Sequence, residues 1–302
     1  MDQQIATDIP SKRILRILTW NIEGLNDELV VERAMAVCDE IESRVADIVY
    51  LQEIIPKTWD AITNRLQSKY YFYRDEAPHR YYHIRMIRID SAVVAEGDIQ
   101  VMKFPNTTQS RLLLHIPVKF HDREMHLLTS HLESLSKNAT ERKNQLSAVF
   151  NLMSSLSESQ GKICIFGGDT NITGREVEQV GLPETFGDLW EMCGSDPRRK
   201  LTWDSTEPRM RLDRLYMCPK GSALQPTTFD LVGESLLDDH GVYASDHLGV
   251  WAEFELKEVV VEVESSKKEG KKETEKNDER AEGSGGGNSK GDTANDDEVH
   301  AL

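Results

Sequence analysis

Lys162-Ile163-Cys164-Ile165-Phe166-Gly167-Gly168-Asp169-Thr170-Asn171 is an apolar run that stops on a carboxylate and an amide. It is short, partly β-branched and closed by glycine, so it reads as a buried strand. Asp169 and Asn171 stand two apart, and on extended backbone both side chains would leave the same side. Aimed together, they could hold one water, the carboxylate accepting its proton and the amide fixing its place. Gly167 and Gly168 would let neighbouring backbone approach closely.

The same layout recurs along the chain. Ile14–Asn21 alternates and leads into Thr19-Trp20-Asn21-Ile22-Glu23. Residues 47–51 are apolar and end at Gln52-Glu53. Leu112–Phe120 and residues 124–130 read as an antiparallel pair around His121-Asp122-Arg123, ending at Ser130-His131-Leu132-Glu133-Ser134. Ser245-Asp246-His247 accompanies the strand at 250–254. Further strands are predicted at 70–73, 91–95 and 211–217. Helical spacing covers 28–44, with Val31, Ala34, Val37, Cys38 and Ile41 on one face, then 56–68 and 140–156 with Thr140 as N-cap. Strands interrupted by helices predict an α/β sandwich of two sheets covered by helices.

The chain has 302 residues, 38% of them hydrophobic, enough for one large domain or two small ones. A short N-terminal extension (1–12) precedes the expected catalytic body at 13–256. After it, residues 257–302 carry 8 Lys and Arg against 13 Asp and Glu with no aromatic residue. That tail cannot bury enough apolar surface to offset chain entropy and is expected to be disordered. Val259 to Val263 are apolar enough to extend the last strand. Lys267-Lys268 and Lys271-Lys272 read as a nuclear-import signal or simply as a solvated mixed-charge stretch.

The net charge is −16, most of it in the body. A general polyanion binder is excluded, so any nucleic-acid contact must be a local basic patch. Trp203 lies between Arg198-Arg199-Lys200 and Arg209, Arg211 and Arg214, an aromatic among cations that suits base stacking; core packing is the plain alternative. Cys38, Cys164, Cys193 and Cys218 make no CxxC pair, which argues against a cysteine zinc site or a disulfide framework. Neither a signal peptide nor a transmembrane run is visible, so a soluble intracellular protein is expected.

Each polar residue also has a plain reading. Asn21 can be a turn residue, and His131 or His247 a hydrogen-bonded structural histidine. Asp246-His247 can be a loop pair, and Asp213 a salt-bridge partner of a neighbouring arginine. Glu53 is harder to dismiss, because a carboxylate directly after an apolar strand risks burial and needs a partner or a cation. The five clusters together point to a site.

TWN (19–21), LQE (51–53), SHLE (130–133), GDTN (168–171) and SDH (245–247), in that order, resemble the exonuclease–endonuclease–phosphatase superfamily from about Arg13 to Phe254. TWNIEGL, LQEIIP, SHLES followed by ERKNQL, GGDTNITGREV, DLWE, TWDS and RLDRLY resemble, within it, the tyrosyl-DNA phosphodiesterase 2 family. The resemblance implies a four-layer α/β sandwich, two mixed β-sheets packed face to face and flanked by helices. It implies a narrow groove for single-stranded 5′ ends and hydrolysis of 5′-phosphotyrosyl bonds, such as topoisomerase II remnants on DNA ends. Mg²⁺ is the implied cofactor, with Mn²⁺ able to substitute. A monomer acting in DNA repair is expected, in the nucleus and with the cytoplasm open as well.

By motif, Glu53 would be the principal Mg²⁺ ligand. Glu23 would supply a second acidic group where the usual TWNIDG motif has aspartate. Asp169 would be the base or orienter of the attacking water, with Asn171 beside it. Asn21, His131 and His247 would contact the phosphate, and Asp213 would orient His247 and favour its charged form. Ser134, Trp203, Leu212 and Tyr81 join the implied substrate-binding set. Thr173 stands where the family's GDTNLR motif has arginine, and Arg175 could compensate. Leu212 replaces the phenylalanine of RFDR and weakens one wall of the groove. The stretch between Asp204 and Arg211 is short, so a substrate-lining loop is expected to be trimmed. The ubiquitin-binding N-terminal domain of many relatives is not expected. Rival readings are an abasic-site endonuclease or other phosphodiesterase of this fold, which would favour a more basic surface or a membrane-facing apolar element, and a non-catalytic DNA-end scaffold.

Overall fold

The computed structural model describes residues 13–74, 82–204, 209–237 and 240–257. The chain runs through β1 (Ile14–Asn21), α1 (Val30–Ser43), β2 (Ile48–Ile54), α2 (Pro56–Leu66), β3 (Tyr70–Arg74) and β4 (Tyr82–Arg88). It continues through β5 (Val93–Ala95), β6 (Gln100–Lys103), β7 (Leu112–Phe120), β8 (Arg123–Ser130) and α3 (Ala139–Gln160). Then follow β9 (Ile163–Asp169), α4 (Gly174–Val180), β10 (Gly187–Asp188), α5 (Leu189–Met192), β11 (Asp213–Cys218), β12 (Leu224–Val232) and β13 (Gly249–Leu256).

Strand alternation sorts these side chains into layers. In β1, Leu15 and Ile17 face one apolar cluster while Leu18 and Trp20 face another. In β9, Ile163 and Ile165 join the first cluster and Cys164 and Phe166 a third. The first cluster lies between two sheets, ordered β12-β13-β1-β2-β4-β3 and β10-β11-β9-β8-β7-β5, with β6 also paired to β7. Both are mixed: β1–β2 and β8–β9 are parallel and the other pairs antiparallel. Val37 and Ile41 of α1 and Ile62 and Leu66 of α2 cover the outer face of the first sheet. Leu146, Val149, Phe150 and Met153 of α3 cover that of the second. The expected helix–sheet–sheet–helix sandwich is present. Burial on both faces explains why the central strands read as continuous apolar runs.

Local departures have local causes. Val31 is 42% exposed, and Val30 and the buried Arg33 take the inner side of α1 instead. Arg33 donates to the carbonyls of Glu23, Asn26 and Glu28, which tethers the loop before the helix. Helix α3 begins at Ala139 with Asn138, not Thr140, at the N-cap. The Asn138 amide is engaged by Glu133 and Ser134 rather than by the helix. Strands β4, β6 and β12 were not expected from the sequence. Strand β4 carries His83 and Arg85 on its inter-sheet side, which breaks the apolar alternation. Strand β12 is half-exposed and holds Pro226. Residues 1–12 and 258–302, including Val259–Val263 and both lysine pairs, lie outside the described residues, as does 205–208 of the expected trimmed loop.

Candidate active site

Topology delivers the polar strand ends to one place. Parallel pairing aligns the ends of β1 and β2, with Asn21 beside Gln52. In the second sheet Asp169, the last residue of β9, pairs directly with Asp213, the first of β11. His247 precedes β13, whose antiparallel pairing returns it to the end of β1. Its backbone is clamped there: Trp20 Nε1 donates to its carbonyl at 2.8 Å, and the Ser245 hydroxyl accepts from its amide while donating to Asn21 O. Close backbone contact requires glycine at two points. A Cβ at Gly168 would sit 1.9 Å from Ser130 O, and one at Gly24 2.0 Å from Glu53 O.

Asp169 is the hub, 1% exposed. Its Oδ2 accepts from Asn21 Nδ2 at 3.0 Å and from His131 Nε2 at 3.1 Å, and faces His247 Nε2 at 3.7 Å. Burial alone would raise its pKa. The two histidines and the Asn21 amide outweigh that and hold the carboxyl far below the usual range, as an anion. His247 Nδ1 lies 2.8 Å from Asp213 Oδ2. Burial opposes the imidazolium, but Asp213 and Asp169 prevail and push its pKa up to about 10, so His247 is charged at neutral pH. His131 behaves oppositely: burial, with Arg111 nearby, lowers it to about 4 despite Asp169. It is therefore neutral, with the Nε2–H tautomer assigned from its bond to Asp169.

Glu53 occupies a β-bulge, where the β2–β4 register shifts between Leu51 and Ile54, with φ at 62°. Bulges re-aim side chains beside sites, and a non-glycine residue in this region is held there by its surroundings. Burial and the Asp169 charge push its carboxyl up to about 6, against the pull of Asn21, His247 and Arg111. A hard carboxylate strained by a neighbouring anion fits a divalent metal, whose charge would relieve it. Asp169, Asp213 and His247 also bring ligand atoms within 4.8 Å of one another. Their closeness reflects the charged His247 set between two carboxylates, bonded to Asp213 at 2.8 Å and facing Asp169 at 3.7 Å, so Glu53 is the better first ligand.

The other sequence-predicted residues fall into three groups. Asn21 and Asn171 join the hub. Asn171 is not on extended backbone, as expected, but left-handed at φ 50°, its amide N–H bonded to Asp169 Oδ1 at 2.9 Å and its side chain to Leu132 O. Such a turn ends the strand and prevents the two side chains from running parallel. Trp203 flanks the centre, and Ser134 is held in the loop network of Gln109 and Asn138. Ser134 is tied to Gln109 and is part-buried. The indole N–H of Trp203 is bound to Asp246 Oδ2 at 3.0 Å, and its backbone bridges to His247.

Glu23, Leu212 and Arg175 are not brought into the cluster. Glu23 is engaged by Arg33 at 2.9 Å, by Asn26 and by the amide of Asp246. Leu212 is 6% exposed, and its carbonyl serves Thr170. Arg175 is exposed on α4. Tyr81 lies outside the described residues. The interleaved basic patch is also reduced: Arg211 and Arg214 are buried against Asp188, Arg198 pairs with Asp196, and Arg199 with Asp230 and Glu234. Sequence reading missed Arg111, which is 2% exposed and acts on both Glu53 and His131. It stands alone before an apolar strand, with no pattern to mark it.

The chain is 34% identical to tyrosyl-DNA phosphodiesterase 2 of Gallus gallus over 252 residues, covering 80% of this chain and 66% of that protein. The chain thus spans just under two-thirds of that relative's length. The crystal structure of the Danio rerio enzyme complexed with single strand DNA product superposes with a TM-score of 0.72 at 31% identity, covering 80% of this chain and 98% of that one. This chain belongs to the tyrosyl-DNA phosphodiesterase 2 family. An endonuclease/exonuclease/phosphatase family protein of Bacteroides thetaiotaomicron shares the fold at a TM-score of 0.67 and 15% identity. No family model matches the chain. Against the tyrosyl-DNA phosphodiesterase 2 motif, the threonine at position 173 has a structural task. Its hydroxyl accepts from Glu176 N at 3.3 Å, and the Glu176 carboxylate accepts from Thr173 N at 2.8 Å, a reciprocal cap on α4.

Proposed function

We propose that the chain hydrolyses 5′-phosphotyrosyl bonds joining a protein or peptide, such as a topoisomerase II remnant, to DNA ends, leaving a 5′-phosphate. The observation that carries this reading is the convergence of Asn21, His131 and His247 on the buried Asp169 carboxylate, with Glu53 alongside. Family membership supports the same substrate class. A phosphodiester is anionic, so its hydrolysis needs charge neutralisation, an aligned water and a stabilised leaving group.

Glu53 would hold Mg²⁺, or Mn²⁺ in its place, whose charge when bound polarises the phosphoryl oxygens. Asp169 is too weak a base to take up a proton readily, so its fixed negative charge orients the water and the two histidines rather than storing a proton. Asn21 fixes the angle of that carboxylate, and Asn171 closes the turn that aims it. His247, held protonated by Asp213, donates from Nε2 to the oxygens of the pentacoordinate phosphorus. His131, neutral, donates from Nε2 and carries no net charge. Arg111 adds a fixed positive charge beside Glu53. A tyrosyl leaving group, with a pKa of about 10, departs more readily than a sugar alkoxide. The partly exposed Trp203 supplies a stacking surface, and a groove of about 660 Å³ beyond Thr173, with Lys200 and Arg209 on its walls, suits a single strand. No described helix is long and apolar enough to cross a membrane. A nuclear site of action and a monomeric state accompany the repair role.

The test is Mg²⁺-dependent release of tyrosine from a 5′-phosphotyrosyl oligonucleotide, beside an abasic duplex. Turnover of the tyrosyl substrate at least about a hundredfold above the duplex is expected. Cleavage of the abasic duplex alone would transfer the chain to an endonuclease role, and DNA binding without any cleavage would make it a scaffold.

A further inference from the structure

Glu133, within the Ser130–Ser134 cluster, takes no part in the steps above, yet it is among the most heavily bonded side chains of the molecule. It is fully buried. Its Oε1 accepts from the Thr107 hydroxyl at 2.6 Å, the Thr108 amide at 2.6 Å and the Gln109 amide at 3.0 Å. Its Oε2 accepts from the Thr108 hydroxyl and the Asn138 amide group, each at 3.0 Å. Four of these five donors come from three consecutive residues of one loop. Burial opposes the charge, but these bonds hold the carboxyl below its ordinary pKa. The backbone of Glu133 is fixed to α3, its amide on Gln145 Oε1 and its carbonyl on Arg142.

The loop leads to the site. The Thr107 hydroxyl that donates to Glu133 also accepts from the Arg111 amide, at 2.7 Å. One oxygen therefore links the buried carboxylate to the backbone of Arg111. The Gln109 side chain, two residues on, bonds both the amide and hydroxyl of Ser134. Ser110 between them is left-handed at φ 57°, a conformation that needs such external restraint in a non-glycine residue.

We infer that Glu133 is a positioning residue for phosphate binding: through Thr107 it holds residues 105–111 in the conformation that sets Arg111 against Glu53 and His131. The inference rests on the phosphodiesterase reading above. An anchor serving stability alone would have no reason to act through Arg111, and that is the point at which the two can be told apart.

The full chain is compared with Glu133→Gln, Glu133→Ala, Thr107→Val, Arg111→Ala and the Glu133→Ala/Arg111→Ala double variant. With the 5′-phosphotyrosyl oligonucleotide, Glu133→Ala should raise KM about tenfold with kcat within about threefold, and Thr107→Val should shift KM the same way. In the Arg111→Ala background the Glu133 change should add less than about twofold, because both act through one group. Amides of Thr108, Gln109 and Arg111 should exchange with deuterium at least about tenfold faster in Glu133→Gln. That measurement needs no substrate. Multiplicative effects of the two variants, a fall in kcat at constant KM, or unchanged exchange would each overturn the inference. Inorganic phosphate binding separates the two readings. Weaker phosphate binding in Glu133→Ala beside a wild type inactive on the tyrosyl substrate would keep the positioning role and remove the phosphodiesterase one.

Discussion

His247 and Asp213 form a buried pair, Nδ1 to Oδ2 at 2.8 Å, and the other ring nitrogen of His247 faces Asp169 Oδ2 at 3.7 Å. An imidazole held between two carboxylates keeps its proton. The pair also fixes which nitrogen can donate toward substrate, because Nδ1 is taken. Asp213→Asn keeps the shape and removes the charge. It should lower kcat on a phosphotyrosyl oligonucleotide by between about a hundredfold and ten-thousandfold. The alkaline limb of the kcat profile should move to lower pH, since His247 would then lose its proton sooner. A profile unchanged in position would show that Asp213 does not set the charge of His247.

The same shift is a statement about stability. His247 titrates at about 10 in the folded chain, above its ordinary value near 6.5. Between those values the native state holds a proton that the unfolded chain has released. The native state thus binds more protons, and stability must fall as pH rises. The contribution is fully present below about pH 6.5 and lost on passing the folded value, with a slope of at most about 1.4 kcal/mol per unit. Urea unfolding of the wild type and His247→Gln from pH 6 to 10.5 should show this slope only in the former. Parallel curves would refute it.

Glu53 sits at the bulge with its carboxyl pushed up to about 6, burial and Asp169 being the causes. Glu53→Gln should weaken Mg²⁺ or Mn²⁺ binding in calorimetric titration by at least about tenfold, the scale that even outer partners of a metal site command. Glu23→Gln should leave metal affinity within about threefold, because Arg33 already engages that carboxylate. The reverse ranking would place the metal on Glu23.

Thr173 caps α4 at the position where the GDTNLR motif has arginine. Thr173→Ala should cost about 1 kcal/mol in urea unfolding, the usual worth of a threonine N-cap. Thr173→Arg should show the same cost but a lower KM for the tyrosyl substrate. If Thr173→Arg leaves KM unchanged, residue 173 does not border the phosphate.

Arg85 lies fully buried between the sheets, donating to Leu114 O at 2.8 Å, with its guanidinium carbon 5.5 Å from the centroid of the Tyr50 ring. Its Nε and Nη1 meet no acceptor among the described residues. A buried cation so sparsely bonded costs more than an apolar side chain of equal length. Arg85→Met should raise the urea midpoint, by the equivalent of about 1 to 4 kcal/mol. A lower midpoint would mean that the guanidinium is better compensated than its contacts indicate.

Much of this site could be read locally. Asn21, Glu53, His131, Asp169 and His247 each stand at a strand boundary, where an apolar run buried on both faces stops on a polar side chain. That signal needs only a few consecutive residues, and the two-sheet sandwich follows from the same runs. What each group does there depends on partners far away in the chain. Asn21 and Asp169 are 148 positions apart, and nothing in either neighbourhood states that they touch. Glu23 and Glu53 look alike as strand-end glutamates. Only the first turn of α1, which carries Arg33 back under the loop, separates one from the other. Arg211 and Arg214 resemble a basic patch until Asp188 is folded beneath them. Arg111 belongs to no motif, and its place depends on a carboxylate 22 residues later through one threonine hydroxyl. The positions of most strands and their side alternation come from short-range periodicity and are present in the sequence itself, whereas strand order belongs to the packed sheets. Charge state, hydrogen-bond partner and exposure come from distances across the sandwich, which exist only once the sheets have packed.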